Sequence, residues 1–367
     1  MHSLHRRKIL KLAAAGGTLA MLSPLTLLAQ TAKAPRPLEI LFLGGTGFIG
    51  PHMVQEALDR GHKITLFNRG NSPPPPGVEQ LIGDRDNDLT ALEGRRFDAV
   101  VDTSGYVPRH VDSAAALLAK GGTPHYLFIS TVAVYDNFRQ PGMDESGQLK
   151  TLADPSIETV DGETYGPLKV LCEQAVNAHY TGAATILRPT FIIGPGDHTD
   201  RFIYYIDRPR QGGRMPVPGP QSLAMAYVDV RDLAAFTIHS LEDNIFGIYN
   251  MVSAPSATTF GEVMRLSLEA SGADVELAWI APGQMRAADL EWSFPMCPNP
   301  LENPGFPSLS QAAALAKGFS NRPFSDTVRD TYDWWMAEPE ARRLGKRDPL
   351  PLETQQKWLQ ALDAAAS

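Results

Sequence analysis

Gly44, Gly47 and Gly50 fall three residues apart where a short apolar run gives way to a helical pattern. Residues 38–43 (Leu-Glu-Ile-Leu-Phe-Leu) suit a buried strand, and Met53, Val54, Ala57 and Leu58 share one face of the helix that succeeds it. A strand that turns through glycines into a helix start presents bare N–H groups and the positive end of the helix dipole, a site for phosphate. The glycines let the turn close and let backbone approach a ligand. Gly44, Thr46, Gly47, Phe48, Ile49 and Gly50 are therefore the candidate pyrophosphate cradle. A glycine-rich turn without a ligand shares the pattern, so its meaning rests on the elements downstream of it.

Those elements alternate. Residues 63–67, 78–82, 97–102 and 125–129 predict further strands, with a small-residue helix over 111–120. This β-α-β-β-α-β order with short links predicts a parallel sheet covered on both faces. The second strand ends in Asn68-Arg69-Gly70, where an NAD site usually places an acidic residue on the ribose 2′-hydroxyl. Asn68 with Arg69 suits a 2′-phosphate instead and favours NADP over NAD. An exposed loop arginine needs no such role, and that reading stays open. Asp84 either meets the adenine end of the nucleotide or caps the next helix. Thr103 stands at the carboxyl end of the fourth strand, where open α/β sheets bind ligands.

The fifth strand runs into Ser130-Thr131, and 34 residues beyond Thr131 comes Tyr165. Tyr165 and Lys169 lie four apart, on one helical face. A nearby ammonium stabilises phenolate and lowers a phenol from its ordinary pKa of about 10. Such a phenol can exchange a proton with an alcohol or carbonyl, with the Thr131 hydroxyl on the same oxygen. Pro167 fits only the first turn of a helix, which puts Tyr165 at the helix edge.

Further marks are Val134-Tyr135, Leu187-Arg188-Pro189 leading to Gly194-Pro195-Gly196-Asp197, and residues 227–233 (Tyr-Val-Asp-Val-Arg-Asp-Leu). With these, residues 38–335 resemble the extended short-chain dehydrogenase/reductase family, in its epimerase/dehydratase branch. The resemblance implies a Rossmann doubly wound parallel sheet that holds NAD(P), with a smaller, mixed C-terminal substrate-binding lobe. It implies Thr131, Tyr165 and Lys169 as the catalytic set, the tyrosine as acid/base and the lysine also on the nicotinamide ribose. The expected Rossmann domain is 38–196 with 224–252; the lobe is 197–223 with 253–340; and 341–367 is a weakly packed tail. Asp229, Arg231 and Asp232 are expected to tie the lobes together, and Arg188 to be structural or near the cofactor. The loop-rich residues 197–222 border the pocket by resemblance, and Arg201, Arg208, Arg210 and Arg214 are either its candidates for an anionic or polyhydroxylated ligand or plain surface charge. Residues 282–308 form a long irregular stretch that either covers the pocket or is a surface excursion. The resemblance also implies a homodimer paired through Rossmann helices.

Residues 1–34 read differently. They hold Arg6, Arg7, Lys8, Lys11 and Lys33 and no acidic residue, and 12–29 is mostly small and apolar. Arg6-Arg7-Lys8-Ile9-Leu10-Lys11 resembles a twin-arginine export signal of bacteria. The export machinery is then a partner, and the location is periplasmic or membrane-anchored facing the periplasm; an inactive leader would leave the chain cytoplasmic. Without these residues 28 basic side chains face 41 acidic ones, a net charge of −13. That argues against non-specific nucleic-acid binding. Neither Cys172 nor Cys297 has a metal-like spacing, so no metal is expected, and Cys172 reads as a buried thiol. A twin-arginine route carries folded proteins, so a bound dinucleotide can travel inside and be restored within each cycle. Three readings compete: a redox-neutral epimerase or dehydratase on a sugar or related alcohol or carbonyl, an NADP-dependent reductase or dehydrogenase with exchanging cofactor, and a non-catalytic dinucleotide-binding protein.

Overall fold

The computed structural model describes residues 33–366, so all but the last two residues of the twin-arginine-type leader lie outside the described residues. Seven strands make one sheet: β1 (Glu39–Leu43), β2 (Lys63–Asn68), β3 (Glu79–Ile82), β4 (Ala99–Asp102), β5 (Tyr126–Ile129), β6 (Ala184–Pro189) and β7 (Gly247–Met251). Every pairing is parallel, in the order β7-β6-β5-β4-β1-β2-β3. Parallel neighbours need crossovers. Helices α1 (Ile49–Asp59), α2 (Pro108–Lys120), α3 (Tyr165–His179) and α4 (Val230–Glu242) supply four of them. α1 packs with α4 and α2 with α3. β1 accordingly is apolar on both sides: Ile40 and Phe42 enter the core under α1 and α4, Leu41 and Leu43 the core under α2 and α3. The chain order reverses between β1 and β4, which opens a crevice at their carboxyl ends.

The run of residues 184–193 forms two strands. β6 stops at Pro189, and Ile192–Ile193 leaves the sheet to pair with Val228–Asp229. The residues expected to be loop-rich, 197–222, contain a buried helical turn, Ile203–Asp207, and a strand, Arg214–Pro218, that pairs in parallel with Glu276–Ile280. Helices α5 (Phe260–Ser271), α6 (Phe324–Ala337) and α7 (Leu352–Ala366) complete this second layer. Thr259 caps α5 by accepting from the Glu262 N–H at 3.2 Å. The lobe has its own apolar core, built on Tyr205, Phe260, Phe294 and Trp358 among others.

Polar contacts fasten α4 to the lobe. The Asp229 carboxylate, with no exposed surface, accepts from the Arg231 N–H at 2.8 Å and from the Thr327 hydroxyl of α6 at 2.7 Å. Arg231 reaches Asp330 at 2.5 Å, and Arg322 donates to Asp232 at 2.7 Å.

Residues 341–367, expected as a weakly packed tail, are anchored. Leu350 and Trp358 are buried, and Trp358 meets Phe294 edge-on at 5.0 Å. The Gln355 carbonyl oxygen accepts from Arg208 Nε at 2.8 Å. Sequence spacing near Arg342 does not reveal this because its partners lie some 60–150 residues earlier. Replacing Trp358 by Ala should therefore lower the unfolding free energy by about 3 kcal/mol in a urea titration. A loss below about 1 kcal/mol would restore the loose tail.

Candidate active site

The glycine turn follows β1 with Gly44 and Gly45 at φ +97° and +81°, conformations open to glycine. Its shape is fixed from the next strand. The Thr103 hydroxyl donates to the Leu43 carbonyl and accepts from the Gly45 N–H, both at 3.1 Å, and the Ser104 hydroxyl donates to the same carbonyl at 3.0 Å. No side chain caps the start of α1 at Phe48, and a Cβ on Gly47 would meet no protein atom within 4 Å. Bare backbone thus faces open space at a helix N-terminus, a fit for a pyrophosphate.

Asn68 ends β2. Its amide donates to the Gly44 carbonyl at 3.3 Å and its oxygen accepts from the Gly70 N–H at 2.9 Å, so it braces the turn. Arg69 beside it is exposed and has no hydrogen bond among the described residues. Asp84 caps no helix: its carboxylate accepts from the Asp86 N–H at 3.0 Å, while Asp88 accepts from Thr90 N–H at the next 3-10 turn. It closes a local turn at the cleft edge.

The Tyr165 and Thr131 segments meet because Gly166 lets them. A Cβ on Gly166 would lie 2.3 Å from the Ala133 carbonyl oxygen, so only glycine brings the start of α3 against the turn after β5. Tyr165 is the first residue of α3 and Pro167 lies in its first turn, where no N–H is needed. Thr131 caps the 3-10 turn Val132–Val134, its oxygen accepting from the Ala133 N–H at 3.1 Å. That fixes the hydroxyl next to the phenol.

Lys169 is buried. Its ammonium donates to the carbonyls of Gly105 at 2.8 Å and Ile129 at 2.7 Å, and lies 4.0 Å from the Phe128 ring centroid. Burial brings its pKa down to about 8. The expected lowering of the Tyr165 pKa does not appear. Burial, with Tyr106 close by at 6.3 Å between ring centroids, pushes the phenol up to about 12, and the Thr131 hydroxyl pulls the other way. The ammonium is committed to backbone carbonyls, and desolvation of the phenol outweighs it.

Thr131, Tyr165, Lys169, Thr103, Asn68, Arg69, Asp84 and the whole glycine turn line one cleft of about 880 Å³. Of the arginines expected at the pocket only Arg201 reaches it. Arg208 is buried on Gln355 and two carbonyls, Arg210 pairs with Asp207, and Arg214 with Asp363 and Glu276. From the irregular stretch 282–308 Phe306 enters the cleft.

Sequence reasoning missed Arg85. Its guanidinium holds the fully buried Asp102 carboxylate in two bonds, 2.5 and 2.8 Å, and also donates to Ser104 and to the His110 carbonyl. The Tyr126 hydroxyl donates to the same carboxylate at 2.7 Å, as does the Ser104 N–H at 3.0 Å. The signal available was Asp102, a charge at the end of an otherwise apolar strand. Arg188 is structural. It pairs with the buried Glu173 of α3, which also accepts from Ser130 at 2.6 Å. Cys172 and Cys297 are both buried and free. Among the described residues no helix is long and apolar enough to cross a membrane, and no cluster of side chains suits a metal.

A family model for the NAD dependent epimerase/dehydratase family matches residues 40–251. The chain is 26% identical over 259 residues to the chloroplast stem-loop binding protein of 41 kDa b of Arabidopsis thaliana, covering 64% of this chain and 63% of that protein. It thus spans less than two thirds of that relative's length. It is 25% identical over 293 residues to the dTDP-6-deoxy-L-talose 4-dehydrogenase (NAD(P)(+)) of Kitasatospora kifunensis, covering 72% of this chain and 88% of that one. The solved structure of the Bordetella bronchiseptica enzyme WbmG in complex with NAD and UDP matches with a TM-score of 0.62 at 17% identity, over 82% of this chain and 96% of that one. At that identity the likeness is one of fold.

The buried ammonium sets a pH signature. The folded-state pKa of Lys169, about 8, lies below its unfolded value, so between about pH 8 and 10.4 the unfolded chain binds more protons and stability rises with pH. Lys169→Met removes that rise. The unfolding free energy of the wild type minus that of the variant should climb by roughly 1 kcal/mol per pH unit from pH 8 to 10. A flat difference would mean the ammonium is not desolvated.

Proposed function

This chain belongs to the NAD dependent epimerase/dehydratase family, and from that premise we propose that it is an epimerase/dehydratase-like enzyme acting on a sugar or related alcohol or carbonyl, with its dinucleotide tightly bound. The observation that carries this reading is the meeting of Thr131, Tyr165 and Lys169 with the glycine turn around one cleft. The glycine turn and Lys169 would hold the dinucleotide; two of the ammonium's three hydrogens are taken by carbonyls and one remains for a ribose hydroxyl. When bound, the nicotinamide supplies hydride exchange with the substrate carbon. Tyr165 moves the proton at the substrate oxygen. Its raised pKa makes the neutral phenol the resident form, so it donates its proton to a carbonyl oxygen, and the phenolate so formed takes a proton back from the alcohol in the reverse step. Thr131, its oxygen already engaged by Ala133, offers its O–H to the same substrate atom.

Arg69 supports NADP over NAD. It is exposed at the cleft rim after β2, where a 2′-phosphate would sit, and no acidic residue stands there. The basic and apolar residues 1–34 support export by the twin-arginine machinery to the periplasm, where a redox-neutral cycle on a retained cofactor needs no exchange. A homodimer through the Rossmann helices belongs to the same reading. The second reading, a reductase with exchanging cofactor, differs in that it requires release. A purely binding role, which the name of the Arabidopsis relative invites, has the net charge of −8, or −13 without residues 1–34, against it where nucleic acid is concerned.

Tyr165→Phe should lower turnover by at least about a thousandfold, the scale of a lost acid/base group, while nucleotide affinity measured by calorimetry stays within about twofold. Retained turnover would remove Tyr165 from the chemistry. Protein purified natively from a periplasmic fraction and then denatured should release about one NADP per chain by mass spectrometry. Arg69→Ala should weaken NADP by roughly tenfold or more and leave NAD unchanged. An empty protein that binds added NADPH reversibly would favour the exchanging reductase.

A further inference from the structure

One wall of the cleft is not accounted for by the dinucleotide residues. Phe306, in the 3-10 turn Phe306–Ser308, meets Phe138 edge-on at 5.0 Å and Phe191 at 5.5 Å between ring centroids. All three phenylalanines line the cleft. Arg201 lies over the Phe191 ring at 5.3 Å, and its Nε donates to the Thr199 hydroxyl at 3.1 Å. The Asp197 carboxylate accepts from the Thr199 N–H at 2.8 Å and from its hydroxyl at 2.7 Å, so it holds Thr199 rather than bonding the guanidinium. Thr190, only 8% exposed, also lines the cleft, and its hydroxyl has no hydrogen-bond partner among the described residues. A buried polar group of that kind normally has a partner, and at the cleft wall water or a ligand can supply it.

The charge of this wall is low. Four lysines and arginines line the cleft, Arg69, Arg85, Lys169 and Arg201. Arg69 follows β2, Arg85 is committed to Asp102, and Lys169 to two carbonyls. Arg201 is left to serve the aromatic wall. A nucleoside diphosphate sugar brings a multiply charged diphosphate whose desolvation needs several matched cations or donors. A flat or ring-shaped apolar body suits phenylalanine faces better, and one guanidinium suits one carboxylate.

Resting on the reading of this cleft as an alcohol–carbonyl site, we propose that the substrate is a compact alcohol or ketone with an apolar, ring-like body and a single carboxylate. The body lies against Phe191 and Phe306, the carboxylate on Arg201, and a polar group on the Thr190 hydroxyl. A nucleoside diphosphate sugar, with its multiply charged diphosphate, is expected to bind less tightly to this wall.

The test is calorimetric titration of the full chain, with and without saturating NADP, using 4-oxocyclohexanecarboxylate, cyclohexanone and UDP-glucose. The keto acid should bind at least about tenfold more tightly than cyclohexanone, a charged hydrogen-bonded contact, and more tightly than UDP-glucose. Arg201→Leu should erase the advantage over cyclohexanone without weakening cyclohexanone itself. Phe306→Ala should weaken both cyclic probes alike. Tighter binding of UDP-glucose, no binding of the keto acid, or an Arg201→Leu loss shared equally by cyclohexanone overturns the proposal. The wild-type ranking decides even where a variant does not fold. Failure of the wider reading looks different: NADP would not bind, or Tyr165→Phe would still turn over, whatever the order of the probes.

Discussion

A carboxylate with no exposed surface, Asp102, sits at the end of β4, and the site is assembled around the need to pair it. Removing such a charge from water costs several kcal/mol, which is recovered only by good geometry and full hydrogen bonding. Arg85 offers two bonds, Tyr126 one and the Ser104 N–H another, at 3.0 Å. Burial alone would raise the Asp102 pKa, but the adjacent guanidinium holds it below the usual carboxylate value. Through these partners the loop after β3, the end of β4 and the start of α2 become one unit. Ser104 and Thr103 then shape the glycine turn, and Gly105 receives the Lys169 ammonium. The glycine-turn end and the Tyr165 end of the cleft are thereby tied through four consecutive residues.

Much of this was legible because it is local. The glycine turn, the strand alternation and the placing of Tyr165 at a helix edge by Pro167 come from neighbours in sequence. The rest depends on partners far apart in the chain. Arg208 and Arg201 look alike in the sequence, yet Arg208 is drawn into the lobe by Gln355, 147 residues later, while Arg201 rests on Phe191. Trp358 reads as part of a tail until the Phe294 pocket is known. Lys169 lies at the right spacing from Tyr165, but spacing says nothing of the two carbonyls that claim its ammonium.

The aromatic wall shows the same division. Phe191 comes after a recognisable Leu187-Arg188-Pro189 run, and its place after the end of β6 is set by that strand. Phe306 arrives from the opposite lobe, through a proline-rich stretch with no periodicity to betray its direction. Their meeting, with Phe138, gives the cleft an aromatic wall.

The route of the chain through the sheet has a consequence for assembly. β7 pairs with β6 only after 57 residues of intervening chain, and that excursion contains Arg201, the lobe's first strand and α4. Closing so long a loop costs entropy that only the finished pairing repays. The lobe's first piece is therefore folded inside the sheet's own closing loop, pinned at Pro189 and at Gly247. Order in that piece shortens the effective loop that the sheet's last strand must close, so the stability of the one layer is coupled to that of the other.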